Sequence, residues 1–233
     1  MIVTAVTTTT TTTLTTMKLQ HVSDIFLNNI IPNISKNGDY IALLGNIGDP
    51  SSSIYKDFVG LMSYRYNKVF LVAGSLEIRT IRWVSHMSTI AKTHENVFFM
   101  NEHVHISDNH TILGMTWAPV FNLTPLGVHE YHRKQRWLKR MITNAHSDKP
   151  VIVLSDRPPL GDQLLPVGGV DITHLLRHNV HYWLHGGYCN SQLQIRSAIL
   201  KCNGNECNCC LDGADERGIK DFIELRNTGR LIW

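Results

Sequence analysis

The chain has 233 residues, with 22 Lys and Arg against 19 Asp and Glu, a formal net charge of +3 and 13 His. Hydrophobic residues make up 43% and charged residues 18%, which is enough apolar mass for a full core and too little charge for a disordered tail protein. There is no block of five like charges and no run near the roughly 18 apolar residues of a membrane helix, so nucleic-acid binding through bulk charge and a membrane-spanning role are disfavoured.

Residues 1–16 lack the basic start and continuous apolar block of a secretory signal. Their seven consecutive Thr, Thr7 to Thr13, read as a disordered tail, and the fold is expected to begin at Met17, itself a candidate translation start. From there to Trp233 a single domain is expected, because no linker or internal repeat interrupts residues 17–233. Short Val-, Ile- and Leu-rich runs alternate with segments of helical period, the pattern of an α/β fold around a largely buried sheet.

The expected strands are Lys18–Ser23, Tyr40–Gly45, Lys68–Ala73, Val97–Met100, Thr111–Trp117, Val151–Leu154 and His181–Leu184. Pro50 and the Ser51–Ser53 run open a helix with its apolar stripe at Ile54, Phe58, Leu61 and Met62. A second stripe runs Ile78, Ile81, Val84, Met87 and Ile90, and a third, within His129–Ala145, carries Leu138, Met141, Ile142 and Ala145. These stripes predict core contacts rather than a cofactor box. His103 and His105 alternate like a strand, while His129 and His132 fit capping or solvation at a helix start. The chain ends in antiparallel strands, Gln192–Lys201 and Phe222–Leu225, around the loop Asn203–Gly213.

All five Cys lie from Cys189 onward, and an odd number without a signal sequence predicts free thiols in a reducing, intracellular compartment. The spacing Cys202, Cys207, Cys209, Cys210 is not that of paired zinc-binding motifs and contains no His, so a reduced loop is favoured over a structural zinc. The Asn-x-Ser/Thr triplets at Asn33, Asn109 and Asn122 then carry no sugar.

Five of the expected strands run into small or polar residues: HVSDIF, LGNIGD, VAGSLE, LSDRPP and LHGGYC. In open α/β sheets the carboxyl ends of strands converge on one crevice, so these turns should gather Asp24, Asn46, Ser75, Asp156 and His185. The recurring Gly45, Gly74 and Gly186 suit close backbone passage there.

In these five blocks the chain resembles the calcineurin-like metallophosphoesterases, in particular their small single-domain branch, across nearly all of residues 17–233. The resemblance implies a two-sheet β-sandwich flanked by helices, in four α/β/β/α layers. It also implies a site where Asp-x-His, Gly-Asp, Gly-Asn-His-Asp/Glu, a His and Gly-His-x-His hold two metal ions for phosphate-ester hydrolysis. Block by block, Asp24 keeps its Asp, but Phe26 stands at the partner His and Asn46 at the bridging Asp. Ser75 and Leu76 replace Asn-His, leaving Glu77. Asp156 takes the fourth His position, and Gly187 and Cys189 those of the fifth block, with His185 just before it.

Physically, a neutral Asn46 removes the anion that offsets repulsion between two dications about 3.5–4 Å apart. Phe26, Leu76 and Gly187 supply no donor atom, and Leu76 also deletes an imidazole of a kind commonly worth about 10²–10⁴ in rate. The expectation is a catalytically inactive scaffold or binding protein that needs no cofactor and has a protein partner, with Trp183, Tyr188 and Trp233 as exposed contact aromatics. The alternative is an active phosphoesterase with one ion, Mg, Mn, Ca or Zn, held by Asp24, Asn46 and Asp156 with Cys189 or His185 as a further candidate ligand, oxygen donors favouring Mg or Ca and a thiolate Zn. Such chains also occur in large DNA viruses, an origin that a Thr tract in an Asn-rich chain suits.

Overall fold

Runs with apolar residues on both faces become the central strands, and in a computed structural model of the chain they form two sheets. The structure describes residues 17–107, 109–117, 125–145, 149–157, 175, 180–186, 193–195, 198–202 and 222–225. In chain order the strands are β1 (Met17–Val22), β2 (Tyr40–Leu44), β3 (Lys68–Val72), β4 (Val97–Phe99), β5 (His103–Ile106), β6 (Thr111–Met115), β7 (Val151–Ser155), β8 (Val180–His185), β9 (Leu193–Ile195), β10 (Ala198–Cys202) and β11 (Phe222–Leu225). The helices are α1 (Ser53–Arg65), α2 (Trp83–Lys92) and α3 (Pro125–Asn144).

One sheet has the order β11-β1-β2-β3-β4 and the other β5-β6-β7-β8-β10-β9. The inner pairs are parallel, and the outer strands β11, β5 and β9 are antiparallel to their neighbours. Because successive residues of a strand face opposite sides, an all-apolar strand feeds two cores. In β2, Ile41 and Leu43 pack with Tyr55, Phe58 and Met62 of α1. Ala42 and Leu44 face Ile152 and Leu154 of the other sheet. In turn, Val151 and Val153 of β7 meet Leu138 and Ile142 of α3. The result is the expected sandwich of two sheets between helical layers.

The helices depart from the expected stripes in phase. In α1, capped by the Ser52 hydroxyl, which accepts from the Tyr55 N–H at 3.3 Å, Tyr55 and Val59 are buried and Leu61 is exposed. Ile78 to Ile90 is not one helix. A 3-10 turn at Glu77–Arg79 and a left-handed Arg82 (φ 71°) reset the rotation before α2, leaving Ile81 88% exposed and Val84 exposed, while Met87 and Ile90 reach the core. His103 and His105 form β5, and His129 and His132 lie on the exposed face of α3. The terminal strands are also corrected: Gln192–Lys201 divides into β9 and β10, and β11 crosses to pair with β1, because β1 otherwise has an open edge. Residues 1–16 and the Cys207–Cys210 loop lie outside the described residues.

Candidate functional site

The five expected turns meet at the carboxyl ends of the strands, and two glycines show how closely. A Cβ on Gly186 would fall 2.1 Å from the Leu44 carbonyl oxygen and 2.9 Å from the Ser23 Cβ, so the end of β8 lies directly against those of β1 and β2. Gly45 has φ +87°, and a Cβ there would stand 2.8 Å from the Gly74 Cα and 3.1 Å from the Asp156 Cβ. Both positions need glycine, one for space and the other also for its backbone conformation.

Inside this junction Asp24 is buried. Its Oδ2 accepts from the Ser23 hydroxyl at 2.6 Å and its Oδ1 from the Asn46 side-chain amide at 2.7 Å. The Asn46 Oδ1 accepts the Leu76 N–H at 3.1 Å, so the amide orientation follows from both of its ends. Asp24, Phe26 and Asn46 all have φ between 53° and 54°, a left-handed conformation that is strained for side-chain-bearing residues. Phe26 is 39% exposed at the rim.

Glu77 is fully buried behind this layer. Its carboxylate accepts backbone N–H groups of Asn46 (3.0 Å), Ile47 (2.7 Å), Gly48 (3.2 Å) and Gly74 (2.8 Å), binding the turn after β3 to the turn after β2. Burial pushes its pKa up, and the N–H donors pull the other way.

Asp156, buried at the end of β7, accepts the Trp117 N–H at 2.5 Å and has the Arg157 guanidinium 3.8 Å away. Burial raises its pKa to about 6, against that N–H and the Arg157 and Lys134 cations. Arg157 also donates to the Ser75 hydroxyl at 3.1 Å. His185 is buried, with its Nδ1 3.0 Å from the Gly186 carbonyl oxygen.

Lys134 is the functional-looking residue that sequence reasoning missed. It is only 3% exposed, and its ammonium donates to the Thr116 carbonyl oxygen. Asp156 takes the N–H of the same peptide unit, so one peptide is gripped at both ends by opposite charges. Burial lowers the Lys134 pKa and the nearby Asp156 charge raises it. The available signal was its place four residues before Leu138 and eight before Ile142, on the buried stripe of α3.

Solved structures share this fold. A phosphopantetheinyl hydrolase from Mycobacterium tuberculosis superposes with TM-score 0.57 at 16% identity, covering 80% of this chain and 88% of that one. The chain has the fold of the calcineurin-like metallophosphoesterases. The Thermus thermophilus protein TT1561 matches with TM-score 0.54, 18% identity and coverage of 82% and 90%. A dimetal phosphatase from Danio rerio matches with TM-score 0.51, 11% identity and coverage of 80% and 86%. No family profile matches the chain, and no curated protein matches it.

The described side chains of this metallophosphoesterase fold do not fit a two-ion centre. Among them, no group of three or more His, Cys, Asp or Glu surrounds a common point. Asp24, Asn46 and Asp156 are brought into one junction, but Asn46 turns its NH₂ and not its carbonyl oxygen toward Asp24, and Asp156 accepts a peptide N–H. Gly187 and Cys189 lie outside the described residues. Trp183 is corrected: it is fully buried, with its indole N–H on the Ser155 hydroxyl at 2.7 Å, and is no contact aromatic. Its position on the face of β8 that packs against α3 explains why. Tyr188 and Trp233 lie outside the described residues, and no described helix is long and apolar enough to cross a membrane.

Proposed function

We propose that this protein keeps the metallophosphoesterase fold without its dimetal chemistry and acts as a scaffold or binding protein for a protein partner. The observation that carries this reading is the 2.7 Å bond from the Asn46 amide to Asp24, a donor–acceptor pair where catalysis of the resembled kind needs two anions around cations. Phe26 and Leu76 add no donors. Exposed Phe26, Ile30 and Ile81 on the strand-end loops offer the apolar side chains that a binding surface uses.

Purified protein is expected to release no more product than its Asp24→Ala variant from a chromogenic phosphodiester or phosphomonoester, with Mn²⁺, Mg²⁺, Zn²⁺ or Ca²⁺ supplied in turn. Turnover abolished by Asp24→Ala would reject the non-catalytic reading and favour a single-ion hydrolase.

A further inference from the structure

The disagreement between these residues and a two-ion centre has a specific chemical form. A cation in such a site does two things: it satisfies carboxylate oxygens that have left water, and it ties loops from separate strands together. Here the chain supplies both. The Asp24 carboxylate is buried, and its oxygens accept from Ser23 and Asn46 at 2.6 and 2.7 Å. The Asn46 amide reaches Asp24 after β1 with its nitrogen and Leu76 after β3 with its oxygen, while its own backbone N–H meets Glu77. One side chain therefore joins three strand-end loops. The backbone agrees, since Asp24, Phe26 and Asn46 hold left-handed φ angles that persist only where surrounding bonds over-determine them.

We propose that the Asn46 side-chain amide does the cohesive work of a cation, so that the junction is held without any divalent ion, and that the chain is one substitution from making its stability ion-dependent. The proposal rests on the non-catalytic reading of the same site. In Asn46→Asp, two carboxylates face each other at hydrogen-bond distance, where they either repel or must hold a shared proton that free carboxylic acids have given up at pH 7.5, and both alternatives cost stability. The Leu76 N–H keeps an acceptor, so the loss falls on the Asp24 contact. A divalent cation binding between the two anions would stabilise the folded state increasingly as its concentration rises above its dissociation constant.

The test is thermal unfolding of the full chain at pH 7.5 in EDTA and in millimolar Mn²⁺ or Ca²⁺. The wild-type melting temperature is expected to be the same in all three. That of Asn46→Asp is expected to fall by about 5–10 °C in EDTA, from the one lost charge-assisted contact to Asp24 in a chain of this size, and to recover with either ion. The exchange Asp24→Asn with Asn46→Asp restores a carboxylate–amide pair in reversed order, and should regain most of the loss in EDTA. If Asn46→Asp alone does not fold, the exchanged variant still decides the matter by folding or failing in EDTA.

A wild type that loses melting temperature in EDTA overturns the proposal, because an ion is then resident. So does an Asn46→Asp variant as stable as wild type in EDTA, or an exchanged variant no better than the single one. These outcomes are separable from the turnover assay: an inactive but EDTA-sensitive wild type sinks this proposal and leaves the non-catalytic reading standing.

Discussion

Glu77→Ala is expected to lose at least about 4 kcal/mol, enough to unfold a domain of ordinary stability or bring it near its midpoint at 25 °C. Four backbone N–H groups, those of Asn46, Ile47, Gly48 and Gly74, end on this one carboxylate. A buried donor left without an acceptor is penalised by about 1–3 kcal/mol, and alanine removes the shared acceptor of all four. Glu77→Gln separates shape from charge. Its carbonyl oxygen can still take two of the N–H groups, while its NH₂ confronts the other two, so a loss of roughly 2–4 kcal/mol is expected. Urea unfolding followed by circular dichroism should order the three proteins wild type, Gln, Ala. An alanine variant with the wild-type midpoint would mean that the two turns are held by something else.

The second large effect concerns Lys134 and Asp156, which grip the Thr116–Trp117 peptide from its two ends. Removing one member of a buried pair of charges leaves the other uncompensated, at about 3–5 kcal/mol, whereas removing both is often tolerated. Lys134→Met should therefore cost about 3–5 kcal/mol at pH 8, and adding Asp156→Asn should return a good part of it.

The pH dependence has a definite sign. The folded Asp156 pKa of about 6 lies above its ordinary value of 3.8, so the folded state binds the proton more tightly. The resulting stability is fully present below about pH 4 and lost as pH rises through about 6, a change of about 3 kcal/mol. Asp156→Asn should flatten that part of the profile. Lys134→Met should cost less at pH 5, where Asp156 is largely protonated, than at pH 8. Equal losses at both pH values, with no coupling between the two substitutions, would show that the charges do not sense each other.

Much of this architecture was legible because β2, β3 and β7 are apolar on both faces, which only a doubly covered strand can be. The turn positions were legible for a related reason. A small or polar residue directly after such a strand marks where the chain leaves the core, and the order of five such exits carried the resemblance. Helix phase was less accessible. Nothing in the Ile78–Ile90 stripe announces that Arg82 adopts φ 71° and rotates α2 relative to the preceding turn, so Ile81 and Val84 were assigned to a core they do not reach. The destination of the last strand depends on an open edge at β1, near the opposite end of the sequence. At the site, residue types revealed which donors were missing. The bond geometry that replaces them, with the Asn46 nitrogen toward Asp24 and its oxygen toward Leu76, belongs to the fold rather than to any one segment. Lys134 was hidden by its neighbours, since Arg133, Gln135 and Arg136 make it look like one more solvated position.

The most direct test of the account is metal stoichiometry. Protein loaded with excess Mn²⁺ or Zn²⁺, dialysed and measured by inductively coupled plasma mass spectrometry, is expected to retain well under one ion per chain, with Asp24→Ala retaining the same amount. Two ions per chain that Asp24→Ala removes would contradict it, because the junction would then hold the very pair of cations that its amide and carboxylates are argued to have replaced.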